Sequence, residues 1–171
     1  MSIILGIDPG SRITGYGVIS HVVNKSNYLG SGVIRTQGPS TIERLNQIFI
    51  GIQQIIAHYQ PNEVAIEEVF LHQNPNVALK LGQARGAALV AASLHTQQLG
   101  EYSPREIKLA VVGFGAAKKD QVQHMIKVLL NLSSAPPVDA ADALAVALCH
   151  AHSRHGYAKI TSGKNSQEKI K

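Results

Sequence analysis

Three acidic features stand where a carboxylate is costly. Asp8 ends the apolar run Ile3-Ile4-Leu5-Gly6-Ile7 and precedes a Pro9-Gly10 turn. Glu67 and Glu68 end a second short run, Glu63-Val64-Ala65-Ile66. Asp139 and Asp142 open an alanine-rich stretch and share one helical face with Ala143 and Val146. Taken singly, each has an ordinary account. An Asp before Pro-Gly can bond turn amides, and a strand can end in exposed glutamates. Aspartates in a first helical turn complement the helix dipole and satisfy free amides. Taken together, they suggest chemistry. Like charges drawn close repel, so a cluster of four stays ionised only beside a cation. All-oxygen ligands favour hard ions, Mg²⁺ or Mn²⁺, and a pair of such ions clamps the attacking and leaving oxygens of a phosphoryl displacement. Successive strand residues face opposite ways, so only one of Glu67 and Glu68 can share a face with Asp8. Spacing leaves open which.

The elements that must position these groups follow from the pattern. The continuous apolar run before Asp8 predicts a strand buried on both faces, at the centre of a sheet. Strands are expected over 13–23 and 28–36 around a turn at 24–27, with Gly15 and Gly17, then Gly30 and Gly32, at alternate positions. Small residues there admit close packing on one face. Ser40-Thr41-Ile42-Glu43 is a capping box, and a helix follows until Pro61. A fourth strand over 63–69 can then run parallel to the first by a crossover. Asn74-Pro75 opens a helix expected to reach Leu99, with Gly82 and Gly86 on one face. Two helical glycines cost about 1 kcal/mol each against alanine. Packing on the chain's own sheet or on a second helix would offset that, and spacing favours neither. A brief strand at 101–103, a helix over 104–112, one around 122–130 and a last over 139–153 complete the order. The expected architecture is α/β, a mixed sheet flanked by helices.

Composition narrows the setting. The 171 residues are 44% hydrophobic and 16% charged, as in a globular domain with a sizeable core. Sixteen Lys and Arg against eleven Asp and Glu give a formal charge of +5. With four acidic residues assigned to one site, the remaining surface is strongly basic and suits a polyanion such as DNA or RNA. Cys149 is the only cysteine, so no intrachain disulfide and no cysteine-rich zinc site can form. No stretch approaches the about 18 apolar residues of a membrane span, and Asp8 interrupts the N-terminal run that a signal peptide would need. A cytoplasmic protein without membrane contact is expected.

Four blocks resemble one family. They are Gly6-Ile7-Asp8-Pro9-Gly10-Ser11 with Thr14-Gly15-Tyr16-Gly17, Ala65-Ile66-Glu67-Glu68-Val69-Phe70, Leu79-Lys80-Leu81-Gly82-Gln83-Ala84-Arg85-Gly86, and Asp139-Ala140-Ala141-Asp142-Ala143-Leu144-Ala145. In that order and spacing they are similar to the bacterial RuvC family of Holliday-junction resolvases, over about residues 3–152. The resemblance implies a ribonuclease-H-like, five-stranded mixed sheet over residues 1–155. The polar, lysine-bearing stretch over 156–171 lies beyond it and is expected from its composition to be a disordered tail. It implies a homodimer that cuts four-way DNA junctions by water attack, leaving paired nicks with 5′-phosphate and 3′-hydroxyl ends, and a branch-migration helicase complex of the RuvA and RuvB type as partner. It implies Asp8, Glu67, Asp139 and Asp142 as catalytic and metal-holding residues, with two Mg²⁺ per site and Mn²⁺ as substitute. It selects Glu67 over Glu68. Phe70 aligns with a base-contacting aromatic, Lys108 and Lys119 with basic positions at the site and the DNA, and the helix bearing Gly82 and Gly86 with a dimer contact.

Other features weigh less. Arg12, Lys80 and Arg85, with Arg105, Lys118 and Lys127, are candidate phosphate contacts. His150 shares a helical face with Asp139 and could support the site from behind, whereas His152 and His155 suit a helix C-terminus. Cys149 reads as buried filler. The competing functions are a nuclease for RNA/DNA hybrids, an actin-type ATPase, which needs two such domains, and a DNA-binding module without catalysis.

Overall fold

The structure, a computed structural model, describes residues 1–69, 74–96 and 98–164, with side chains described as far as Ser153. Ten elements follow one another: β1 (Ser2–Asp8), β2 (Ile13–Val22), β3 (Lys25–Arg35), α1 (Thr41–Tyr59), β4 (Glu63–Glu67), α2 (Pro75–Ser93), β5 (Leu99–Tyr102), α3 (Pro104–Val112), α4 (Lys119–Leu129) and α5 (Val138–Lys164). The sheet order is β3-β2-β1-β4-β5. β1 lies at its centre, antiparallel to β2 and parallel to β4, as its unbroken apolar run predicts. β5 adds in parallel beyond β4. The expected mixed five-stranded sheet flanked by helices is therefore present.

Each sheet face has its own core. Leu5, Ile7, Val18, Val64 and Ile66 face Ile48, Ile52, Ile56, Ala84 and Ala88 of α1 and α2. Ile4, Ile19 and Ala65 face Leu144 and Leu148 of α5, with Ile107 of α3 and Val122 and Ile126 of α4 beyond them. α5 is thus covered on both sides, which explains why it is apolar nearly all round from Ala143 to Ala151.

The sheet under α5 is bare backbone. Gly6 pairs with Gly17, and Asp8 with Gly15, across β1 and β2. A Cβ at Gly6 would land on the carbonyl oxygen of Ala143, and one at Gly15 on that of Asp139. At Gly17 it would lie 2.7 Å from Leu144 Cγ. The three glycines therefore let α5 settle onto the sheet. The glycines of β3 serve the opposite face, where Gly30 lies under Tyr59 and Gly32 under Tyr16.

Several boundaries differ from expectation. β3 starts at Lys25 rather than Tyr28, because the hairpin closes over two residues, Val23 and Asn24, at φ 37° and 66°. α2 stops at Ser93 rather than Leu99. There the chain turns back to β4: His95 Nε2 lies 2.8 Å from the Pro61 carbonyl, and Thr96 Oγ1 donates to the Asn62 carbonyl at 3.2 Å. Leu99 is needed in β5, opposite Val64. α5 continues past Ser153 to Lys164, with no proline in the way. Residues 165–171 lie outside the described residues. Among the described residues no helix is long and apolar enough to cross a membrane.

Gly6→Ala forces either β1 or α5 to move. A stability loss of about 3 kcal/mol is expected from such overpacking, measured by urea unfolding. A loss below about 1 kcal/mol would show that α5 has slack over the sheet.

Candidate active site

The glycine floor decides where the acidic residues meet. On β1 the next residue beyond Gly6 on the same face is Asp8. Ile7 is opposite Ile66 of β4, so Asp8 and Glu67 end neighbouring strands side by side. Asp139, Ala143 and Ala147 lie four apart along α5, on the stripe facing the glycines. The first turn of α5 therefore sits above the end of β1. The turn after β1 is held by Thr14, fully buried, whose hydroxyl donates to the Gly10 carbonyl at 2.9 Å.

Asp8, Glu67 and Asp142 line one cleft of about 220 Å³, together with Lys108 of α3 and Lys119 of α4. Glu68 is not among its lining residues; its amide donates to the Tyr102 carbonyl at 2.8 Å. The open choice between the two glutamates falls to Glu67. Asp139 is half-buried beside the cleft and acts on Asp8 through its charge. A larger groove between α1 and β3, lined by Tyr16, Ile34, Arg35, His58 and Tyr59, has no acidic residue in its lining and cannot share this chemistry.

The cleft holds more negative charge than it balances. Burial first, then the charge of Asp142, push Asp8 up to about 6, with Lys119 opposing and Asp139 adding. Burial, then Asp8 and Asp142, push Glu67 up to about 8 against the pull of Lys119 and Lys108. Lys119 Nζ donates to Asp142 Oδ2 at 3.2 Å, and that pairing raises its own pKa. Among the described residues no three His, Cys, Asp or Glu side chains are grouped so as to hold an ion as they stand. The donor chemistry nevertheless fits a hard divalent cation: carboxylate oxygens, too crowded to be charged together, with lysines as the local counter-charge.

A family model described as crossover junction endodeoxyribonuclease RuvC matches residues 4–150. The chain belongs to the RuvC family. RuvC of Legionella pneumophila (strain Corby) is 54% identical over 170 residues, covering 99% of this chain and 98% of that one. RuvC of Shewanella sp. (strain ANA-3) is 59% identical over 161 residues, covering 94% and 93%. The structure of Thermus thermophilus RuvC in complex with Holliday junction substrate is 35% identical, with a TM-score of 0.84, covering 91% of this chain and 97% of that chain. The fold is ribonuclease-H-like, and nucleases of the RuvC family are metal-dependent.

The other candidate residues are scattered in this RuvC-family chain. Arg12 and Lys80 are exposed and outside the cleft. Arg85 is ion-paired with Glu101 of β5. Phe70 lies outside the described residues. Gly82 is exposed and Gly86 half-buried, and neither has an atom in reach of an added Cβ. The chain's own sheet therefore does not use them; α2 packs inward through Ala84, Ala88, Ala91 and Ala92.

His150 does not stand behind the carboxylates. Its Nε2 is 2.8 Å from Oε2 of Glu63, at the other end of β4, and its Nδ1 is 2.8 Å from the hydroxyl of Tyr102 in β5. Ser2 donates to the second oxygen of Glu63. Sequence reasoning passed over this chain of polar groups. Its one signal was Glu63 itself, an acid at the buried start of a strand. Cys149 is buried, as expected, and burial pushes its thiol up to about 11.

Between the ordinary value of 4.5 and about 8, the folded protein keeps a proton on Glu67 that the unfolded chain has lost. The native state binds more protons in that window, so stability falls as pH rises through it. Glu67→Gln removes the penalty. In chelator at about pH 8.5, the variant is expected to exceed the parent by about 1–3 kcal/mol in urea unfolding, with the gap closing by about pH 5. Equal stability at both pH values would show the carboxylate to be fully compensated.

Proposed function

We propose that the chain is a structure-specific endonuclease of recombination and repair, resolving four-way DNA junctions in the cytoplasm. It does so by paired hydrolytic nicks, with Asp8, Glu67, Asp139 and Asp142 as the catalytic and metal-holding residues. The single observation that carries this is the meeting of acids from β1, β4 and α5 in one half-buried cleft, in a chain of the RuvC family. The relatives' name, crossover junction endodeoxyribonuclease, gives the reaction. The Thermus thermophilus protein, bound to a Holliday junction, gives the substrate.

The residues divide the work. Asp8 and Glu67, fixed on strands, form the rigid floor. Asp139 and Asp142 close it from the first two turns of α5. Two Mg²⁺ per site, replaceable by Mn²⁺, would be held by these four groups and supply an activated water and charge stabilisation at the leaving 3′ oxygen. Lys108 and Lys119 lie across the cleft and offer ammonium groups to phosphate oxygens, while Arg12, Lys80 and Arg85 extend the contact over the backbone. Phe70, three residues past Glu67 in sequence, contacts a base of the DNA.

Paired nicks need two cleavage sites related by a two-fold axis, and hence a homodimer. Support comes from α2, where Leu79, Gly82, Gly86 and Val90 fall on one helical stripe. Leu79 and Val90 are 66% and 55% exposed, and the glycines between them are open. A branch-migration helicase complex of the RuvA and RuvB type would deliver the junction.

Asp8→Asn is expected to abolish junction cutting with Mg²⁺, a loss of more than about a thousandfold, while junction binding in Ca²⁺ persists. Loss of binding together with cutting would remove the carboxylate from the chemistry. Four-way junction, duplex and RNA/DNA hybrid compared at one salt concentration should show preference for the junction, and equal cutting of the hybrid would redirect the assignment. Gly82→Leu places a large side chain on the open stripe. It should turn a dimer into a monomer in sedimentation while stabilising α2 by about 0.5–1 kcal/mol, and an intact dimer would exclude that face.

A further inference from the structure

The helix that carries Lys119 starts against local rules. α4 begins at Lys119, and its cap, Lys118, makes no side-chain capping bond. Gln121 does that work, accepting from the Lys118 amide at 2.8 Å. Two lysines at the positive end of a helix are electrostatically unfavourable. Rules broken locally mark sites where something else is gained.

What is gained is visible in the cleft. The Lys119 side chain is 74% exposed along its length, so the arm can swing, yet its ammonium is directed onto Asp142, only 20% exposed. The same ammonium lies in the field of Asp8 and Asp139, which reinforce the pull of Asp142. It also relieves Glu67. Lys108 lines the same cleft but acts on Glu67 without an ion pair to any carboxylate there.

The geometry points to Lys119 as a displaceable counter-ion: in the free protein its ammonium neutralises Asp142 in place of a divalent cation, and entry of the cation frees it for a phosphate oxygen of the DNA. Its role rests on the proposed cation-dependent cutting of DNA in this cleft. The exchange couples two events. Cation loading releases a phosphate contact, and a phosphate that draws Lys119 away uncovers Asp142 for the cation. By linkage each ligand strengthens the other's binding by the same factor. Without DNA the lysine keeps the cleft from being fully loaded; on DNA it becomes part of the grip.

The test is calorimetric titration of Ca²⁺, in place of the catalytic ion, into the full-length protein without DNA. Lys119→Met is expected to tighten Ca²⁺ by about three- to tenfold, because the competitor is gone. Lys119→Arg should stay within about twofold of the parent, as the charge is kept. Lys108→Met removes an equal charge from the same cleft and should change the affinity by less than about twofold. The gain in Ca²⁺ affinity on adding a four-way junction should be smaller in Lys119→Met than in the parent. Unchanged or weaker Ca²⁺ binding in Lys119→Met, or an equal gain in Lys108→Met, overturns the exchange, as does absence of Ca²⁺ binding in all four proteins. Failure of the function itself shows separately, as a parent protein that does not cut junctions in Mg²⁺.

Discussion

Close approach of α5 to the central strands is the constraint on which the site depends. A helix packed on a sheet through ordinary side chains stands about 10 Å away, too far for its first turn to share a ligand with the sheet. Gly6, Gly15 and Gly17 remove that layer, and the backbone of α5 rests directly on the strands. The acids then need no long side chains to meet. Aspartate suffices at Asp139 and Asp142, and a short side chain has few rotamers to lose when held in place. Glycine in a strand is normally a weakness of about 0.5–1 kcal/mol. Here three such weaknesses, grouped on one face, are the structural condition for the cleft.

The elements legible in the sequence are those whose signal is local. The central strand was readable because its apolar run is unbroken, α1 because a serine cap precedes it, and α3 because Pro104 opens it and Gly113 closes it. Asp8 stood out because it interrupts an apolar context. The ends of α2 and β3 were not readable, since they are set by partners distant in sequence, Pro61 and Asn62 for one and the Val22–Lys25 pairing for the other. The same limit applied within the site. Alternation could not choose between Glu67 and Glu68, because the choice depends on which face α5 occupies. Lys108 and Lys119 have no spacing that ties them to the acids, and only the resemblance to a family singled them out. His150 misled for the converse reason. It shares a helical face with Asp139, but eleven residues of helix carry it about 16 Å along the axis, to Glu63 and Tyr102.

Placing α5 on the sheet fixes its distance but not its position along the groove. Glycines offer a smooth surface, and a helix that touches only backbone could slide or rock. The bonded chain from Ser2 through Glu63 and His150 to Tyr102 answers this about midway along the helix. It joins β1, β4, α5 and β5 by directional contacts in a buried setting, where a hydrogen bond lost on one side leaves an unsatisfied group and costs about 1–3 kcal/mol. Directional polar contacts specify one arrangement in a way that apolar contacts, tolerant of small shifts, do not.

The two places where α5 meets the polar groups of the sheet therefore differ in kind. At Glu63 and His150 opposite polar partners are matched and buried, and the arrangement is at rest. At Asp8 and Glu67 like charges are forced together, and the pressure is visible in the raised pKa values of both. A helix free to move would relieve that pressure by drawing Asp139 and Asp142 away from the strands. The matched polar contact and the glycine contact oppose that motion together, one by direction and one by proximity. The repulsion is thereby kept for ligands to relieve: a cation in the cleft, and the phosphate backbone that the surrounding lysines attract.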